Sequence, residues 1–260
     1  MRRLFFLFLF TLPLSVNAES TLPLMKDLAG DAELPRPWGI GLDFYTMDQD
    51  YDIEALDFAL PIPGVSLGDP SDIMSTNEVM HFDLKADVWL LPFLNVFAIV
   101  GRVDTDTTVD FSQAEITGLP FDLGTLLVNF DGTVFGGGFT LAYGTEDWFA
   151  SATTTLTETS ISGDFKSSVD SFTVQPRLGL VRGNWTTWVG AMYLDVDESH
   201  RGAIDLPFIG PVDFAVDLAT TDHWNYAIGV AHHFGDRANL SFEVGFGNRE
   251  HTLFNFNYRF

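Results

Sequence analysis

The stretch LSFEVGFGNREHTLFNFNYRF, residues 240–260, decides the fold. Leu240, Phe242, Val244 and Phe246 alternate with Ser241, Glu243, Gly245 and Gly247. After Asn248-Arg249-Glu250, the set Phe254, Phe256, Tyr258 and Phe260 alternates with Leu253, Asn255, Asn257 and Arg259. A period of two belongs to strands, not helices. The apolar face is still aromatic at Phe260, and a soluble sheet with such an edge would invite aggregation. A barrel closed on itself in lipid needs that face and has no edge. The competing reading is a strand of a soluble sandwich.

Phe254, Phe256, Tyr258 and Phe260, at two-residue steps, resemble the terminal-strand signal of bacterial outer-membrane barrel proteins. The resemblance covers the closing strand alone. It implies a location in the bacterial outer membrane, lipid and lipopolysaccharide as surroundings, and recognition of these four residues by the barrel-assembly machinery. It implies nothing about function.

The other end of the chain agrees. Met1-Arg2-Arg3, an apolar run from Leu4 to Leu14 and Val16-Asn17-Ala18 follow the order of a secretory signal, too short to span a bilayer as a helix. Cleavage is expected after Ala18, leaving a periplasmic leader over 19–37, with Pro23, Pro35 and Pro37, and a barrel over 38–260. The chain carries 13 basic and 36 acidic residues, a formal charge of -23, and a cleaved signal removes Arg2 and Arg3 as well. That balance repels nucleic acid. No cysteine is present, so disulfides and thiolate sites are excluded.

Alternation elsewhere predicts strands at Trp38–Met47, Val79–Leu90, Leu94–Asp104, Thr133–Gly144, Asp147–Glu158, Asp170–Arg182, Trp185–Asp197 and His223–Phe234, with two more in the closing stretch. The expected fold is therefore all-β, a transmembrane antiparallel barrel of about ten strands. Short joins near 91–93, 145–146, 183–184 and 235–237 alternate with long segments at 48–78, 105–132, 159–169 and 198–222. Short periplasmic turns and long external hairpins are the asymmetry of such barrels. Leu60-Pro61-Ile62-Pro63-Gly64, Leu119-Pro120-Phe121-Asp122-Leu123-Gly124 and Leu206-Pro207-Phe208-Ile209-Gly210-Pro211 sit mid-segment as apolar hairpin tips. These tips either fold together over the mouth or pack separately on the rim. Flanking runs such as Phe214 to Leu218 still alternate, as strands continuing above the membrane would. A twelve-stranded barrel with one such hairpin inserted is the alternative; it would bring acidic residues into lipid.

The face opposite the lipid collects Asp43, His81, Asp83, Lys85, Asp87, Arg102, Asp104, Arg177, Asp195, Asp197, Glu243 and Arg259 as a lumen network. Lys85 and Arg102 are expected to face Asp83, Asp87 and Asp104 across one hairpin, since opposed side chains sit about 5 Å apart. Phe97, Ile99 and Val103, with Trp188, Met192, Leu194 and Val196, are assigned to lipid. The network fits either interior packing or a constriction that selects solutes.

No catalytic residue is assigned: Asp222-His223 and Ser199-His200 are adjacent in strands and point to opposite faces. His232-His233 splits the same way, with His233 inward. Asp48, Asp50 and Asp52 have the spacing of a calcium ladder, against a solvated rim as the plainer reading. Gly136-Gly137-Gly138 leads into a strand, so it is no phosphate loop, and no cofactor is expected. Two functions remain: a narrow porin-like barrel passing small solutes, or a closed structural or surface-interaction barrel that binds lipopolysaccharide, divalent ions or a macromolecule.

Overall fold

The computed structural model describes residues 21–30, 34–59, 66–67, 72–112, 116–118, 124–162, 166–206 and 210–260. The signal expected at 1–18 lies outside the described residues, as do most of the three Leu-Pro cores. No helix among the described residues is long and apolar enough to cross a membrane; the spans are strands.

Among the described residues, thirteen strands follow a 3-10 turn at Lys26–Ala29. They are β1 (Trp38–Phe58), β2 (Ser66–Leu67), β3 (Met74–Leu91), β4 (Leu94–Asp110), β5 (Ile116–Thr117), β6 (Thr125–Gly144) and β7 (Trp148–Ser162). Next come β8 (Lys166–Arg182), β9 (Trp185–Leu206), β10 (Gly210–Thr220), β11 (Trp224–Phe234), β12 (Ala238–Gly247) and β13 (Arg249–Arg259). The two-residue β2 and β5 pair only with each other, and the remaining eleven form one antiparallel sheet.

That sheet closes twice. In its lower part β1, β3, β4, β6, β7, β8, β9, β11, β12 and β13 form a ring of ten, sealed where Gly39–Gln49 of β1 pairs with Arg249–Arg259 of β13. Higher up, β1 exchanges partners: Tyr51–Phe58 pairs with β10, whose other edge lies on β9. Stepping across the ladders from Asp52 passes through Ala219, Asp197, Asp170, Glu158, Phe135, Val100 and Leu84. The path returns to β1 at Leu42. One strand, β10, has replaced the three strands β11, β12 and β13, so a ring of ten narrows to a ring of eight. The alternation at 214–218 is thus a strand of the neck above the ten-stranded wall, not an inserted span.

The wall of the lower ring is apolar outside. Ile40, Leu42, Phe82, Leu84, Phe135, Leu178, Val189, Phe242, Phe254 and Phe256 are exposed all round it. In water such a patch would far exceed the few hundred Å² tolerated by soluble monomers; in hydrocarbon it is the required surface. Trp38, Tyr143, Trp148, Trp185, Phe234 and Phe260 ring the lower border, and Trp224, Tyr226 and Phe246 stand near the upper one, as interfacial aromatics do. Glu250, Asp48, Glu78 and Asp106 are directly paired across four strands, exposed on the outer face. Ionised carboxylates are costly in lipid, so the hydrocarbon ends below this row.

Above that row the polarity of the strands reverses. On β1, Met47, Tyr51 and Ile53 are buried inside while Asp48, Asp50 and Asp52 face out. On β9, Leu194 and Val196 are buried inside while Asp195 and Asp197 face out. The inner residues join Ile73, Phe111 and Leu218 in one apolar core that fills the neck. An eight-stranded ring is just wide enough for side chains to fill it.

Short turns lie at the lower end and long hairpins at the upper one. Cysteine at exposed Asp57 or Asp213 should react with an impermeant maleimide on intact cells, and cysteine at Asn184 only after the outer membrane is permeabilised. The opposite pattern would turn the barrel over.

Candidate functional site

Below the neck the ten-stranded ring is hollow. A cavity of about 960 Å³ runs from Met47, Tyr51, Leu194 and Val196 at its roof to Leu34, Pro35, Arg36, Asp236 and Arg237 at its lower mouth. The mouth is crossed by the leader. Arg36 pairs with Asp236 at 2.8 Å, Arg259 donates to the Arg36 carbonyl, and the Trp89 amide donates to the Pro37 carbonyl. The hydrogen bond from Arg36 holds the Asp236 carboxyl below the usual carboxylate range.

Register explains the hollow. Seven large inward side chains of the lower ring lie opposite a glycine on the next strand: Asp87 on Gly39, Lys85 on Gly41, Asp83 on Gly101, Phe97 on Gly138, Phe149 on Gly179, Arg177 on Gly190, Trp188 on Gly229. A Cβ added at Gly229 would stand 2.2 Å from the Trp188 ring, and one at Gly179 would stand 2.1 Å from Phe149. The side chains lie flat on the wall instead of meeting at the axis. The axis therefore stays empty.

One side of the cavity is lined by hydroxyls: Ser151, Thr153, Thr155 and Thr157 on β7, with Ser171 and Thr173 on β8. Thr140 and Thr153 are hydrogen-bonded at 2.9 Å. Across the ring, β1, β3, β12 and β13 bring charges. Asp43 accepts from Lys85 at 3.3 Å and from Asn255. Asp87 accepts from Arg259 at 2.7 Å, Asn95 at 2.6 Å and Asn257 at 3.1 Å. Glu243 accepts from Arg177 through Nε at 2.8 Å and Nη2 at 2.9 Å, and also from the Trp188 indole. Asp83 lies beside His81, with 3.7 Å between Oδ2 and Nδ1.

Eight of the twelve residues expected in the lumen are there: Asp43, His81, Asp83, Lys85, Asp87, Arg177, Glu243 and Arg259. The other four are outside. Arg102 is paired with Asp131 at 2.6 Å on the exposed face, and Asp104 is exposed beside them. Asp195 is half exposed at 3.9 Å from His223, and Asp197 is exposed. Lys85 thus reaches Asp43 across β1 and β3, not the β3–β4 hairpin. Phe97, Ile99, Val103, Trp188, Met192, Leu194 and Val196, assigned to lipid, face inward.

The cause is common to both strands. Residues of β4 and β9 that looked lipophilic cover glycines below or fill the neck above, and the charged set beside them lies above the hydrocarbon.

The remaining candidates are placed plainly. Asp48, Asp50 and Asp52 line the outer face of β1, where Asp50 accepts from Thr76 at 3.0 Å. No group of three or more potential metal ligands converges among the described residues. His233 faces inward, bonded to Thr186. Phe254, Phe256, Tyr258 and Phe260 lie on the outer wall of the closing strand. The neck also holds a buried polar row that alternation could not single out: Arg249 donates to Gln49 at 2.6 Å, with Asn77 opposite Gln49. Glu198 and His200, 3.0 Å apart, are buried there too.

No protein-family description matches this chain, and no curated protein does. Among solved structures, the toluene transporter TodX of Pseudomonas putida is 11% identical, with TM-score 0.34, over 87% of this chain and 88% of that one. The transport unit of the autotransporter AIDA-I from Escherichia coli is 10% identical, with TM-score 0.38, over 92% and 96%. An outer-membrane channel from Pseudomonas putida F1 is 12% identical, with TM-score 0.27, over 89% and 98%. The fold rests on the ladders and the apolar belt. It is a transmembrane antiparallel β-barrel.

Proposed function

We propose that the barrel is a narrow passage for small polar solutes, held shut in this conformation by its neck. One observation carries the reading: the cavity of about 960 Å³ below the neck. A barrel of purely structural purpose and this width could fill its interior with side chains. Here large residues are laid on glycines instead, and hydroxyls and ion pairs face open space. Small-solute sites are hollows of this size with a few placed polar groups. Assembly through Phe254, Phe256, Tyr258 and Phe260, and contact with lipopolysaccharide, belong to the same proposal.

The apolar core of the neck favours the second reading, a barrel closed for good whose upper hairpins bind something outside. Removing the core side chains separates the two. The double variant Tyr51→Ala/Leu194→Ala should give conductance steps in planar bilayers where the parent is almost silent. It should also lose about 2–5 kcal/mol of stability per truncated side chain. Folded parent and folded variant that are both silent across several voltages would leave the closed barrel as the function.

A further inference from the structure

We infer that Asp83 is the recognition point for the ammonium group of a small organic amine in the lumen. The inference rests on the lumen being a solute site and names the class of solute.

Three of the four carboxylates in the lower lumen have a cation of their own: Asp43 has Lys85, Asp87 has Arg259 and Glu243 has Arg177. Asp83 has no lysine or arginine. It is 9% exposed, its Oδ1 lies on Gly101 without a hydrogen-bond partner, and its Oδ2 has only His81, 3.7 Å away and a cation only when protonated. Asp83 is also directly opposite Asp43 in the β1–β3 ladder. The Asp83 side chain leans away from Asp43, onto Gly101 of β4, and Lys85 is bound to Asp43. A buried carboxylate without a permanent cation is costly, so Asp83 is the lumen carboxylate left short of a positive charge.

The surroundings define what supplies that charge. Asp83 lines the cavity with Tyr45, His81 and Phe97, and the far wall is hydroxylated. The hollow is far larger than a bare ion. Aromatic edges and faces suit the methylenes and the charge of an alkylammonium, and threonine hydroxyls accept from a second amino group. The outer surface, with its carboxylate row at Glu250, Asp48, Glu78 and Asp106, raises the local concentration of cations over anions.

The test uses the folded full barrel in detergent, with Trp89 and Trp188 in the cavity wall as fluorescent reporters. Putrescine should give a saturable change; 1,4-butanediol, the same chain without charge, should bind at least about tenfold more weakly, as loss of one charged hydrogen bond predicts. Asp83→Asn should weaken putrescine by a similar factor while Arg102→Ala, on the outer face, leaves it unchanged. Comparing the two probes on the parent keeps the test valid if Asp83→Asn misfolds. Equal binding of diamine and diol, no binding of either, or an equal response to potassium chloride alone would each overturn the assignment. Conductance without putrescine binding would sink this inference and leave the passage standing, whereas putrescine binding to a barrel that never conducts would uphold it and sink the passage.

Discussion

Glu243→Ala is expected to lower the stability of the barrel by about 3 kcal/mol, the lower part of the range for breaking a buried ion pair. Glu243 is 3% exposed and is the shared acceptor for Arg177 and Trp188, with His251 3.8 Å away. Its loss leaves the indole N–H unpaired and the guanidinium with only the Gln175 side-chain oxygen as acceptor. The figure sits low in the range because Arg177 borders the cavity and can recruit water. The double variant Glu243→Leu/Arg177→Met should recover most of the loss, since an apolar pair carries no desolvation cost. Urea unfolding in one lipid composition, followed by the heat-modifiable band, reads both. An unchanged midpoint for Glu243→Ala would mean that this cluster does not hold β8, β9 and β12 together.

Gly138→Val should be worse. A Cβ at Gly138 would lie 1.9 Å from the Thr154 carbonyl oxygen and 2.9 Å from the Phe97 ring. The first obstacle is backbone of the β7 ladder, so the strands must part to admit the new side chain. Overpacking of a tight site costs about 1–3 kcal/mol, and more when backbone must move. The variant should therefore give mostly unfolded band at a temperature the parent survives. Truncating Phe97 to Ala should not rescue it, because the carbonyl remains. Ala98→Val, on the exposed outer face of β4, should stay within about 0.5 kcal/mol of the parent. A Gly138→Val barrel as stable as Ala98→Val would show that the glycine–aromatic register is not what spaces the wall.

Much of the wall was legible in alternation alone. On β1, β3, β6, β7, β12 and β13 the inward and outward sets are as the sequence indicated, because these strands pair apolar positions with charges or hydroxyls at a strict period of two. On β4 and β9 both sets contain apolar residues, and choosing the larger ones for lipid inverted Arg102, Asp104, Asp195 and Asp197. The signal that could have corrected β4 was Gly136 and Gly138: glycines in a strand mark places where a neighbour's side chain lies down. Using it requires the pairing register, which is a property of two strands and not of one.

The amino-acid sequence by itself determined that this is a membrane barrel with ten strands in the wall, and which residues of most strands meet lipid, because side-chain parity and the cost of charge in hydrocarbon act locally. Tertiary structure alone decided the neck, where β10 replaces three strands and the apolar face turns inward. It also decided which lumen carboxylate goes without a lysine or arginine. Ring closure sets the strand number at each height, and hence whether the interior is filled or hollow; that count depends on every ladder at once, so no single stretch of chain contains it.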